Sequence, residues 1–163
     1  RWFKNHAAAC AAMGEEALDL LRLRGIRRLL NEEPKRPASL VHGDVTRPNV
    51  VVHGNGICLL DWEAVRLGSP YAELAQALTN LTNFDSRLVR SLLEGYEEIW
   101  PLAQEERKLV RALCGFPYEV WVAARRSLRP DQRELLDLVS QTWDLRLQML
   151  AFLDNWSSAS SAG

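Results

Sequence analysis

The chain has 163 residues, 47% of them hydrophobic and 25% charged, with a formal net charge of -1. That is enough apolar material for the core of one ordinary soluble domain, and near-neutral charge gives no electrostatic case for nucleic acid or an anionic membrane as partner. No apolar run approaches the ~20 residues that a membrane-spanning helix needs. Arg1-Trp2-Phe3 begins no secretory signal, and the absence of an initial Met suggests a fragment or a processed chain. Cys10, Cys58 and Cys114 are scattered, odd in number and without ligand spacing, so reduced, buried thiols in a cytoplasmic protein are expected.

From Trp2 to Asn31 the pattern is helical, with Leu18, Leu21, Ile26, Leu29 and Leu30 close to a 3.6 period. Gly14 and Gly25 argue against one unbroken helix. Glu32-Glu33-Pro34-Lys35-Arg36-Pro37 reads as a polar, proline-bounded loop, and Ser39 to Val41 as a short strand leading into His42. Two apolar runs, Val50 to Val52 and Ile57 to Leu60, then flank Gly54-Asn55-Gly56. Asn-Gly between such runs is a strong hairpin signal, because a primed turn needs residues that tolerate positive φ. Folding that hairpin puts Asn49 across from Asp61 or Trp62. The short loop Val45-Thr46-Arg47-Pro48 tethers Asp44 to the same open end, so three oxygen-bearing side chains converge.

Asp44 and Asn49 enclose four residues, the spacing of a kinase catalytic loop, in which the Asp takes the substrate proton and the Asn binds magnesium. Magnesium prefers hard oxygen ligands and takes only one or two carboxylates. His42-Gly43-Asp44, Asn49 and Asp61-Trp62-Glu63, followed by Gly68-Ser69-Pro70, resemble the aminoglycoside phosphotransferase and choline kinase-like enzymes. Those enzymes share the protein-kinase architecture and phosphorylate hydroxyls of small molecules. The resemblance covers about Leu40 to Leu78. It implies Asp44 as catalytic base, Asn49 and Asp61 as ligands of Mg2+ on ATP, and His42 as a support of the loop. Thr46 stands where many members carry His, so positive charge near the phosphate would have to come from Arg47. Ser69 and Glu73 stand where members commonly have Asp. Glu63 is either an outer metal partner or a solvated carboxylate.

After the loop Ala64 to Gly68, Ser69-Pro70 starts a helix, since Ser can cap and Pro at the first position loses no intrahelical bond. Leu74, Leu78 and Leu81 form its buried stripe. A second helix is expected over Ser86 to Ile99, with Asp85 as cap and Leu88, Leu92 and Tyr96 inward. A third segment spans Gln104 to Ser127, interrupted at Gly115-Phe116-Pro117. The last helix, Asp131 to Asn155, shows Leu135, Leu138, Thr142, Leu145, Met149 and Phe152 on one side. The Ser/Ala-rich tail, 156–163, is expected to be flexible.

The expected architecture is mainly α with a small buried β-hairpin: residues 1–155 as the C-terminal lobe of a protein-kinase-like fold. A nucleotide-clamping N-terminal lobe is missing from this reading, because Lys4, Lys35 and Lys108 are the only lysines and none lies in a β-type run. An isolated lobe would expose the surface its partner covers and self-associate. One alternative is a catalytically incomplete lobe acting as a binding or scaffold module. A metal-dependent hydrolase built on His42, Asp44 and Asp61 would need another nitrogen ligand. His53 lies about 13 Å from Asn49 at ~3.3 Å per residue, too far to share a metal, which leaves His6. For the substrate, Glu119, Glu134, Asp137, Asp144 and Asp154 are interspersed with Arg125, Arg126, Arg129, Arg133 and Arg146, so no acidic block marks a polycation site. Tyr96, Trp100, Tyr118, Trp121 and Trp143 could cage a quaternary ammonium, but aromatics at helical spacing are more often core.

Overall fold

The helical pattern after Trp2 folds as two helices. In the computed structural model, which describes residues 2–31, 39–54, 56–126 and 134–159, α1 (Trp2–Arg22) and α2 (Arg24–Asn31) meet at Leu23. Neither glycine makes the break. Gly14 lies within α1 and Gly25 within α2, where a Cβ would stand 2.9 Å from Glu105 Cγ. The polar loop expected over Glu32 to Pro37 lies outside the described residues.

Four short strands form two antiparallel pairs. β1 (Ser39–Val41) pairs with β4 (Arg66–Gly68), Ser39 opposite Gly68 and Val41 opposite Arg66. The stretch Ala64 to Gly68 therefore holds a strand where a loop was expected; three residues are too few for alternation to show. β2 (Val50–His53) and β3 (Gly56–Leu59) form the hairpin, with Val50 opposite Leu59 and His53 opposite Gly56. Gly56 thus belongs to the strand, and Gly54 takes the positive φ of the turn, 58°. Asn55 lies outside the described residues. The hairpin was expected to be buried, yet Val52 is 72% and Ile57 73% exposed, because the helices pack elsewhere.

The remaining helices are α3 (Pro70–Asn80), α4 (Ser86–Ile99), α5 (Gln104–Gly115), α6 (Tyr118–Arg126) and α7 (Glu134–Ser158). Ser69 Oγ accepts from Ala72 N–H at 3.4 Å, and Asp85 Oδ1 from Arg87 N–H at 2.9 Å, so both expected caps are made. Glu106 reaches back to Ala103 N–H at 2.7 Å and also accepts from Tyr71 Oη at 2.6 Å. Pro117 separates α5 from α6. On α4 the buried face is Val89 and Leu93; Leu88, expected inward, is exposed, and Leu92 and Tyr96 flank the core half-buried. On α7 the face turns likewise. Val139, Trp143, Arg146, Met149, Leu150 and Leu153 are buried, while Leu138 and Leu145 are exposed. The expected start at Asp131 lies outside the described residues.

The tail also differs from expectation. α7 continues to Ser158, Ser157 is buried, and Trp156 Nε1 donates to Glu97 Oε2 at 3.0 Å. Arg107 lies over the Trp156 ring at 5.4 Å. These tertiary contacts override a weakly helical composition; residues 160–163 lie outside the described set. Helix α5 is the hub of the bundle, packing against α1, α2, α3 and α7. Leu78, Leu109, Val110, Met149 and Leu153 are fully buried there, and each such aliphatic side chain contributes roughly 1.5–3 kcal/mol. The Arg111 guanidinium, 2% exposed, is held by Asp154 at 2.7 Å and Glu16 at 2.9 Å, tying α5 to α7 and α1. Cys114 is buried, and burial pushes its thiol up to about 12. Cys10 is half-buried and Cys58 exposed, so the expectation of three buried thiols holds for Cys114 alone.

Candidate active site

Strand β1 delivers the chain to the candidate catalytic loop. His42, at its end, is 2% exposed. Its Nδ1 accepts from Asp44 N–H at 3.3 Å, which leaves Nε2–H to donate to the Leu60 carbonyl at 2.8 Å. A neutral imidazole satisfies both bonds, and the pair ties the loop to the end of β3. Gly43 takes φ 83°, and a Cβ there would stand 2.5 Å from the Ala64 carbonyl oxygen, so only glycine fits. Its N–H donates to Glu73 Oε1 at 2.8 Å. Glu73, on α3, thus buttresses the loop from the other side.

Asp44 is half-buried. Asn49 Nδ2 donates both to Asp44 Oδ2 at 2.9 Å and to the Asp44 carbonyl at 3.0 Å. A 3-10 turn over Arg47–Asn49, with Pro48 inside it, brings the amide back onto the carboxylate. Leu60 N–H donates to the Asn49 carbonyl at 2.8 Å. Asn49 is therefore opposite Leu60, one residue short of Asp61 and two short of Trp62, because the hairpin closes through Gly54 rather than through Gly56.

Asp61 follows directly, in the left-handed region at φ 60° and ψ 68°. Asp visits that region more readily than most residues, still at a cost of about 1 kcal/mol or more. The strain is held from both sides: Leu60 is bonded to Asn49 and His42, and the Trp62 ring lies 4.6 Å from the His42 ring. Trp62 Nε1 also donates to the Leu59 carbonyl at 2.9 Å. The exposed Asp61 carboxylate does not cap the 3-10 turn Trp62–Ala64 that follows, in which Glu63 is also exposed.

The structure thus joins Asp44 directly to Asn49, with Asp61 one residue beyond the Asn49–Leu60 bond. Arg47 is drawn to a different partner, its Nε donating to the Leu81 carbonyl at 2.7 Å, just past α3. His6 is occupied in the packing of α1 on α7: its Nδ1 bonds the Trp2 carbonyl at 3.0 Å, and its ring stacks on Trp2 and meets Trp143 edge-on. That removes the motive for the hydrolase reading. Among the described residues no group of three or more His, Cys, Asp or Glu side chains is placed to hold a metal.

A cavity of about 690 Å³ opens beside the loop, with Thr46, Arg47 and Pro48 in one wall. Helices α3, α5, α6 and α7 supply the rest. Arg146, 3% exposed, is ion-paired with Glu119, donates to the Cys114 carbonyl at 3.3 Å and lies 4.7 Å from the Phe84 ring centre. Burial lowers its pKa to about 10, so it stays charged at neutral pH. Sequence reasoning missed this pair as a unit. The available signal was a charged residue on the buried face of α7, three residues past Trp143.

With that geometry in hand, the comparisons are direct. The chain matches the phosphotransferase enzyme family over residues 2–109. Among solved structures it is similar to an aminoglycoside phosphotransferase from Alicyclobacillus acidocaldarius subsp. acidocaldarius DSM 446, with a TM-score of 0.82 at 21% identity. That similarity covers 94% of this chain and 48% of the other, so the chain spans about half the length of that structure. A search of curated proteins returned no match. At that identity the likeness shows the fold, while the match over two-thirds of the sequence shows the family: this chain belongs to the phosphotransferase enzyme family.

Proposed function

We propose that this chain is the C-terminal, catalytic-loop lobe of a protein-kinase-like enzyme that transfers the γ-phosphoryl group of ATP to a hydroxyl of a small molecule. The observation that carries the reading is the Asn49–Asp44 side-chain bond. It fixes the carboxylate, and it commits the amide nitrogen, so that the Asn49 oxygen is the atom left for a cation. With the exposed Asp61 carboxylate, this gives a set of hard oxygen donors that fits magnesium. When bound, that ion would neutralise charge on the phosphate oxygens.

The chain's own residues would do the rest. Asp44 would orient the substrate hydroxyl and take its proton as that oxygen bonds to the γ-phosphorus and the bond to ADP breaks. His42 would hold Asp44 and the Leu60–Asp61 end of β3 in register through its two hydrogen bonds. Arg47, anchored on Leu81, is the cation nearest in sequence to the base, and Glu63 would serve as an outer partner of the metal. The exposed hairpin side chains, Val52 and Ile57, would be covered by an N-terminal lobe that supplies the phosphate clamp and its lysine. Alone, the chain would self-associate through them. A second reading, a catalytically incomplete lobe serving as a binding module, draws on the same exposed hairpin and on Thr46, Ser69 and Glu73, which depart from the family's common pattern.

Calorimetric titration with ATP, with and without magnesium, separates the two when run beside Asp61→Asn. Magnesium-dependent binding that disappears in the variant supports the enzyme reading. Binding that ignores both the metal and the substitution removes Asp61 as a ligand. Failure to bind ATP at all shows that this chain is not the working enzyme by itself and moves the test to a longer chain that carries the clamping lobe.

A further inference from the structure

We propose that the alcohol phosphorylated at this site is an uncharged molecule with a largely apolar body, not a polycation. The inference rests on the phosphotransferase reading and adds the substrate class. Its basis is the cavity bordered by Thr46, Arg47 and Pro48, in the loop that follows Asp44. At about 690 Å³, it is within the size range of small-molecule sites. Thr46, Arg47 and Pro48 belong both to its wall and to the loop between Asp44 and Asn49, so the cavity adjoins the loop that carries the base, although Asp44 itself is not one of its lining residues.

The walls are mostly apolar. Ala75 of α3, Leu113 of α5, Val122 of α6 and Leu135, Leu138 and Val139 of α7 line them. The polar groups are mainly neutral: Gln76, Thr79, Asn80 and Asn83 along and just beyond α3, and Thr142 on α7. Among the described lining residues only Arg47, Glu119 and Arg146 carry charge. Glu119 is the one carboxylate, and it is ion-paired with Arg146. A polycation entering this space would meet a neutralised acid and the cationic Arg47, and would lose its hydration without compensation. An uncharged body is transferred without that penalty, while amides and hydroxyls orient its oxygens.

The test uses the neutral fluorescent probe N-phenyl-1-naphthylamine, displaced by hydrocortisone (a neutral alcohol) or by neomycin (a polycation) at low salt. Two variants locate the binding. Thr142→Trp fills the cavity. Leu138→Glu places a carboxylate at the rim on a side chain that is 48% exposed, so it folds even where the tryptophan does not. The expected result is probe binding displaced by hydrocortisone and not by neomycin. Thr142→Trp abolishes that binding, and Leu138→Glu weakens it about tenfold. Displacement by neomycin, binding indifferent to both variants, or no binding at all overturns the proposal. The phosphotransferase reading is judged separately: with the clamping lobe supplied, an Asp44→Asn variant that transfers phosphate as well as wild type would sink it, whatever the probe shows.

Discussion

The candidate catalytic loop and the helical bundle are held together in opposite ways. In the bundle, α5 is surrounded by α1, α3 and α7, and the stabilising contacts are apolar side chains with almost no exposure. In the loop and hairpin, side chains such as Val52 and Ile57 face outward, and order comes from hydrogen bonds to the backbone: His42 to Leu60, Glu73 to Gly43, Leu60 to Asn49. Apolar packing is tolerant and non-directional, whereas hydrogen bonds fix atoms to a few tenths of an ångström. The bundle therefore supplies stability and the loop supplies position. Asp61 and Gly43 take positive φ in the second region, and in the bundle Asn83 and Phe84 do so between α3 and α4.

Four substitutions break or sharpen that contrast. The largest effect is expected on catalysis. Under the proposed function, in a longer chain that carries the clamping lobe, Asp44→Asn should lower kcat by about 10²–10⁴-fold, while the melting temperature stays close to wild type. A large loss of stability would show that Asp44 belongs to the scaffold instead. Next comes Leu78→Ala in the bundle, expected to lower unfolding stability by about 2–5 kcal/mol in denaturant melts, with magnesium-dependent ATP binding retained below the transition. Gly43→Ala should cost about 1–3 kcal/mol through its positive φ. Unlike Leu78→Ala, it should remove ATP binding under conditions where the helices remain folded by circular dichroism.

The smallest effect concerns the start of α4. Hydrogen bonds from Arg87 hold the Asp85 carboxyl down from 3.8 to about 2. A carboxyl depressed on folding stabilises the native state above its unfolded pKa, and that contribution fades as pH falls from about 4 through about 2. The melting-temperature difference between wild type and Asp85→Asn should therefore shrink over that window. A difference that is constant with pH would show that the ion pair with Arg87 contributes nothing.

Much of this was legible along the chain, for identifiable reasons. Ser69-Pro70, Asp85 and Pro117 act through local chemistry, so helix starts and the α5–α6 break follow from neighbouring residues. The Asp44–Asn49 spacing is short enough for one tight turn, and the structure makes the bond between them. Asn49's partner across the hairpin was missed by one residue, because closure through Gly54 or Gly56 turns on a single pairing. The rotated faces of α4 and α7 were missed for a related reason. Leu88 or Val89, and Leu138 or Val139, fit a 3.6 period equally well, and only the packed neighbours choose.

By itself, the sequence determined the family, the helical character and the order of His42, Asp44, Asn49 and Asp61, because these rest on spacing and local backbone preference. Tertiary structure alone decided the β1–β4 pairing, the ordering of Trp156 by Glu97, the Glu73 clamp on Gly43 and the pairing of buried Arg146 with half-buried Glu119 in the cavity. Each of those joins residues far apart in the chain. Their energies exist only once the helices have brought the partners within reach and excluded water from between them.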